Sequence, residues 1–221
     1  MSVVTKEEFQ DALDSEFAWR QKELSSILSE ATTAPAAVQP LRLRTGVALL
    51  YAHWEGFIKT AADMYIRHVA VRKLRPCDLN DGLRALVLRP EIHKCAARDD
   101  VQATSALISL LTTGLGSRAR FAKDAFTKRI ANLTASEFRR VIHSLGLEHA
   151  KYSGLTDSVI NNDLVGRRNN IAHGQWLCPE LDDFCRLHSQ VTAALRTFKD
   201  QLQNAASLGE YKARGKGKVS P

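Results

Sequence analysis

Val47-Ala48-Leu49-Leu50-Tyr51-Ala52-His53-Trp54-Glu55-Gly56-Phe57-Ile58-Lys59-Thr60-Ala61-Ala62-Asp63-Met64-Tyr65 is the stretch on which the fold turns. Its apolar positions, Val47, Leu50, Tyr51, Trp54, Phe57, Ile58, Ala61 and Tyr65, recur three and four residues apart and so share one face of a helix. The stripe is wide and aromatic, which suits a helix covered by several neighbours and makes this the expected central helix of a bundle, starting near Leu41.

The flanking sequence repeats the helical period. Thr5-Lys6-Glu7-Glu8 has capping-box spacing, and Phe9, Leu13, Phe17, Leu24, Ile27 and Leu28 follow at helical intervals, so a first helix is expected over 6–31. Residues 32–40, with two prolines, form the connection. Residues 72–100 lose periodicity and carry Pro76, Pro90, Asn80, Asp81 and Gly82, which predicts a loop with one or two short helical pieces. Short helices are expected over 101–113 and 118–130. Thr134 to Glu137 is a second capping box, with Gly146 as the stop. A helix capped by Thr156 or Asp157 ends at Gly174, and a last one over 180–206 carries Leu181, Phe184, Leu187, Val191, Leu195, Phe198 and Leu202 on one face. No β-alternation outlasts four residues and no internal repeat is present, so the chain reads as all-α. One helical domain over 1–207 is expected, with 72–100 as a loop-rich insertion and 208–221 as a disordered basic tail.

At 221 residues, 44% hydrophobic and 25% charged, the chain can bury a core of its own. It has no apolar run near the ~20 residues of a membrane span. Lys6, Glu7 and Glu8 stand where a secretory leader needs an apolar segment, so a cytoplasmic location is expected. Cys77, Cys95, Cys178 and Cys185 show no close paired spacing and read as reduced thiols. Of the net charge of +7, residues 208–221 supply +3 and the body +4. That field attracts polyanions without selecting among them.

Chemistry concentrates in Asp163-Leu164-Val165-Gly166-Arg167-Arg168-Asn169-Asn170-Ile171-Ala172-His173-Gly174-Gln175. Asn169 and His173 are four apart and share a helix face, and Arg168 can reach over them, while Leu164, Val165, Ile171 and Ala172 are expected to face the bundle. An imidazole exchanges protons near neutral pH and a guanidinium forks onto phosphate oxygens. Those are the two roles needed when RNA is cleaved by its own 2′-hydroxyl. The same residues also fit a helix C-cap and a salt bridge from Arg167 or Arg168 to Asp163. On the central helix, Glu55 and Lys59 have ion-pair spacing, and Glu55 is alternatively placed to orient Arg168 or tune His173. Cys178, Cys185, His188, His93 and Cys95 do not form a metal set, since Cys185 and His188 lie in a periodic helix. No cofactor or metal is expected.

Arg168, Asn169 and His173 resemble the signature of the HEPN superfamily, whose ribonuclease members carry Arg, a polar residue that is often Asn, about three further residues and then His. Leu50-Tyr51-Ala52-His53-Trp54-Glu55-Gly56-Phe57-Ile58-Lys59 is similar to the corresponding helix of a bacterial branch found among toxins and anti-phage defence systems, and Ile171-Ala172-His173-Gly174 fits the same branch. The resemblance implies a helical bundle that dimerises so that two motifs face each other and cut RNA without metal. It implies His173 as general acid/base, Arg168 as phosphate clamp and Asn169 as the orienting amide, with Arg167, Asn170, Glu55 and Lys59 as supporting or substrate-binding residues. An antitoxin or other inhibitory partner is expected with such an activity. The resemblance equally allows a non-catalytic module that binds nucleotide, RNA or protein, or a structural part of a defence complex contacting it through 72–100.

Overall fold

A computed structural model of the chain describes residues 5–98 and 100–213. Seven α-helices carry it: α1 (Lys6–Thr33), α2 (Gln39–Ala70), α3 (Asp81–Arg98), α4 (Val101–Thr112), α5 (Ala135–Leu145), α6 (Arg167–Ala172) and α7 (Leu181–Leu208). Among the described residues there is no strand, only one isolated bridge between Leu79 and Lys212, and no helix is long and apolar enough to cross a membrane.

α1, α2 and α7 pack together as the body of the bundle. The Thr5 hydroxyl accepts from Glu8 N at 3.0 Å and the Glu8 carboxylate accepts from Thr5 N at 3.0 Å, which closes the capping box and starts α1 where the spacing predicts. α2 begins with Pro40, whose missing N–H costs nothing in a first turn. All eight positions of the α2 stripe are buried. Trp54 packs on Phe138 of α5, with ring centroids 4.7 Å apart, and Phe57 meets Phe198 of α7 at 6.4 Å.

Two segments depart from the sequence reading, both because tertiary hydrogen bonds decide the backbone. Where a loop with short helical pieces is expected over 72–100, residues 81–98 are a single eighteen-residue helix. The turn formers are its cap, with Asn80 Oδ1 accepting from Leu83 N at 2.9 Å, and the helix runs through Pro90. Conversely, 118–130 is not helical. Buried Asp63 of α2 accepts from Phe126 N at 3.0 Å, from Thr127 N at 2.9 Å and from the Thr127 hydroxyl, which draws those donors away from an i→i−4 ladder.

The helix that carries the motif is wound in two ways. Val159–Gly166 is π-helical, with Arg167 N reaching back five residues to Asn162 O, and tightens into α6 at Arg167. Leu164 and Val165 are buried and Ile171 is half-buried as expected, but Ala172 is exposed, because α6 is already leaving the bundle. α7 ends at Gly209, φ +70. The supposed tail is ordered further than composition suggests: Tyr211 is buried, Asn80 N donates to Tyr211 O at 2.9 Å and Ala213 N to Asp78 O at 2.8 Å. Residues 214–221, the basic end of the expected disordered tail, lie outside the described residues.

Candidate active site

α6 ends where it does because Gly174 takes φ +74, a left-handed conformation that costs an L side chain energy. Gln175 N then bonds Asn170 O at 2.9 Å and His173 N bonds Asn169 O at 2.9 Å, so the last carbonyls of α6 are satisfied by the turn itself. Arg44 of α2 holds that turn from the other side, with Nη2 donating to Gln175 O at 3.2 Å and its guanidinium 5.2 Å from the centroid of the exposed Trp176 ring. His173 is thus presented at a fixed helix end, its imidazole exposed and without a hydrogen-bond partner among the described residues.

Arg168 points the other way, into the bundle edge. Its guanidinium carbon stands 3.9 Å from the centroid of the Tyr51 ring and Nη2 donates to Asn132 Oδ1 at 2.7 Å, while Nε is buried without a partner. Stacking on one face and a hydrogen bond at one corner fix the plane of the cation and leave other N–H groups uncommitted. Tyr51 in turn donates to Glu55, and Glu55 accepts from Lys59 Nζ at 2.8 Å and from Leu133 N at 3.1 Å. Leu133 N also lies 3.1 Å from the Tyr51 hydroxyl, and Trp54 Nε1 donates to Leu133 O at 3.4 Å. The pair Asn132-Leu133 therefore ties α2 to α6, and Asn161 of the π-helical segment completes the tie by accepting from Ala135 N at 2.9 Å.

The electrostatics follow from this packing. Burial works against ionisation of Glu55, but hydrogen bonds from Lys59 and Tyr51, the Lys59 charge and the Leu133 amide outweigh it and hold the carboxyl below its ordinary range. Burial, with the hydrogen bond to Glu55 next, pushes the Tyr51 phenol up to about 12. Tyr51 is accordingly a neutral donor at neutral pH and Glu55 an anion shared between Lys59 and Tyr51.

The structure thus brings Arg168, Glu55 and Lys59 into one connected cluster through Tyr51, with Glu55 reaching Arg168 only through the phenol. Arg167 is drawn elsewhere, 2.9 Å from Asp163 and 3.5 Å from Asp183. Asn169 and Asn170 are half-buried and their amides bond to nothing among the described residues. Sequence reasoning assigned Tyr51 to the core alone, although its place four residues before Glu55 on one helix face was the available signal. Asn132 carried no signal, since its contact with Arg168 spans 36 residues. The metal-like set is dispersed: His188 Nε2 faces Leu24 O at 2.9 Å inside the bundle, and all four cysteines are unpaired. Among the described residues no three His, Cys, Asp or Glu side chains converge.

The HEPN_MAE_28990-like HEPN family model matches residues 9–211, nearly the whole described chain. The chain belongs to the HEPN superfamily. No curated protein and no solved structure matches it. HEPN domains are often ribonucleases and others bind nucleotides, so membership sets the class of function for this HEPN domain and leaves its activity to be argued from the site.

Proposed function

We propose that this HEPN domain is a metal-independent RNA endonuclease that works as a homodimer, in the manner of a toxin or anti-phage effector restrained by an inhibitory partner. The observation that carries the reading is the pairing of a rigidly stacked guanidinium, Arg168 on Tyr51, with an exposed imidazole, His173, on one short helix.

The chemistry uses only these side chains. The 2′-oxygen attacks the adjacent phosphorus, forming a new P–O bond, while an unprotonated His173 accepts the 2′-hydroxyl proton. The P–O5′ bond breaks and the departing oxygen takes a proton, leaving a 2′,3′-cyclic phosphate and a 5′-hydroxyl. Arg168 stabilises the charge gathering on the non-bridging oxygens through its uncommitted N–H groups. Asn169, four residues before His173, orients the imidazole or the phosphate, and Asn170 lines the same approach. Glu55 and Lys59 act through Tyr51 as supports of Arg168 and do not touch substrate.

Five residues of helix separate Arg168 and His173 by about 140° around the axis at 3.6 residues per turn. One protomer therefore spreads the two groups, and a second copy facing it supplies the complementary pair, which supports the dimer. A non-catalytic RNA- or nucleotide-binding module is the second reading, favoured by the Asn132 amide on the guanidinium corner that a phosphate would use.

Cleavage of total RNA and tRNA by the purified protein in excess chelator separates the two. A nuclease leaves cyclic-phosphate ends and loses about 10²–10³-fold in rate with Arg168→Ala and about 10²–10⁴-fold with His173→Ala. Wild type as inert as both variants on every RNA refutes catalysis and leaves the binding module.

A further inference from the structure

Residues 117–132, the segment between the short 3₁₀ turn Gly114–Gly116 and α5, lie as a strap along α2. Ala119 N donates to Leu74 O at 2.8 Å and Arg118 Nη2 to Ala70 O at 3.1 Å at one end, Asp63 grips Phe126 and Thr127 in the middle, and the other end reaches Tyr51, Trp54 and Glu55 through Leu133. Between Ala70 and Tyr51 the strap covers about 28 Å of α2, at 1.5 Å per residue.

Its two faces differ in kind. Ala119, Ala125, Phe126 and Ile130 are buried against the bundle. Arg118, Arg120, Lys123, Lys128 and Arg129 are exposed, and the single acid in the segment, Asp124, sits 3.5 Å from Lys128. Arg120, Lys123 and Arg129 have no ion pair among the described residues. Cations left unpaired side by side repel one another, a cost that a bound polyanion relieves. The strap ends on Asn132, whose side chain holds Arg168. Beside its start lies an open groove of about 870 Å³, lined by Val87, Leu88 and Leu110 with Arg118, Arg120 and the half-buried Phe121.

We propose that this strap is the track along which single-stranded RNA reaches Arg168, phosphates lying on Arg120, Lys123 and Arg129 and an unstacked base entering the groove beside Phe121. The proposal rests on the ribonuclease reading for its direction, since a cationic row that ends at the phosphate clamp feeds that clamp. A cationic row flanked by an apolar groove with an aromatic is the arrangement that takes single strands, where backbone and base are bound by different chemistry.

The test uses the full chain in a His173→Ala background, so that no RNA is consumed, with a fluorescent single-stranded oligonucleotide, a duplex of the same length, and polyglutamate as an acidic polypeptide. Replacing Arg120, Lys123 and Arg129 together with Gln is expected to weaken single-strand binding roughly 100-fold at 0.1 M salt and to reduce the slope of log K against log salt by about 2, from about 0.7 per phosphate contact. The triple variant should melt with its parent, because all three residues are exposed. Phe121→Ala should weaken the single strand and leave the residual duplex binding unchanged. Unchanged affinity and slope in the triple variant overturn the track, and do so without touching the ribonuclease reading if wild type still cleaves. Strap-dependent binding with no cleavage by wild type sinks the ribonuclease reading and keeps the strap as an RNA surface. Duplex bound as tightly as single strand, or polyglutamate bound as tightly as RNA with equal loss in the triple variant, also overturns the proposal.

Discussion

Asp63→Ala removes the clamp at the middle of the strap, and the structure sets the size of the effect. The carboxylate is 2% exposed and accepts from two backbone amides, at 3.0 and 2.9 Å, and from a hydroxyl. Hydrogen bonds to a charged group contribute about 1.5–3 kcal/mol each, and a buried amide left without a partner costs about 1–3 kcal/mol. Simple addition overshoots, because Thr127 is exposed and its groups can turn to water once released, while Phe126 is buried and its amide cannot. A net loss of about 3 kcal/mol is expected. For a chain of this size that is a fall in Tm of roughly 6–12 °C, at about 2–4 °C per kcal/mol. Amide exchange at Phe126 and Thr127 should accelerate before any in α2 or α7, since the strap can leave while the bundle stays. Asp63→Asn keeps one acceptor oxygen and should lose about half as much. A Tm within 2 °C of wild type together with protected amides at 126 and 127 would refute the clamp.

Three further outcomes follow from the site and the core. Tyr51→Phe keeps the ring under Arg168 and leaves Leu133 N on Glu55, so it should lower stability by about 1–2 kcal/mol with cleavage within a few-fold of wild type, whereas Tyr51→Leu also removes a cation–π contact of about 0.5–2 kcal/mol and should lower kcat/KM on a defined oligonucleotide by roughly 3–30-fold; equal losses in the two would assign the effect to the phenol. Gly174→Ala meets no atom within 4 Å, so its cost is the left-handed backbone alone, about 1–2 kcal/mol, with His173 displaced and cleavage reduced, and Gly174→Asn should be milder on both; thermal melts and cleavage rates of the pair check this. Burial first, then the Arg72 charge, holds the His68 imidazole down at about 4 between the Phe9 and Tyr211 rings. From the ordinary value of 6.5 down to about 4 the unfolded chain takes this proton and the folded chain does not, so stability is full above pH 6.5 and His68 removes up to about 3 kcal/mol as pH falls to 4. Burial lowers His53 and His188 as well, so the share of His68 is read from His68→Phe in urea titrations across that window, where an unaltered slope would contradict it.

What the sequence disclosed about the fold was whatever a single helix decides for itself. The capping boxes at Thr5 and Thr134, the stop at Gly146 and the buried stripe of α2 are local in their causes, and each stands where the spacing puts it. Helix α3 and the strap were misread in opposite directions for the same reason. Asn80 and Asp63 decide those backbones by hydrogen bonds whose outcome depends on what the fold places beside them. At the site, Arg168 and His173 stand out by residue type alone, and Glu55–Lys59 by its spacing. The surface that Arg168 rests on, Tyr51 and Asn132, comes from two other segments brought together only when the bundle closes.

The π-helical winding of Val159–Gly166 has a consequence for how such a site can change. A wide turn is an α-helix carrying residues in excess, and in this chain the excess sits immediately upstream of Arg167. Removing one residue at 161 or 162 would let the turn relax to ordinary winding while Ile160, Leu164 and Val165 keep enough freedom to repack. Everything downstream would then rotate by about 100°, one residue of helix. Arg168 would swing off Tyr51 and His173 would face a new direction. The segment therefore acts as a dial between scaffold and chemistry: a single-codon deletion, with no substitution at any motif residue, would preserve the bundle and re-aim its reactive groups.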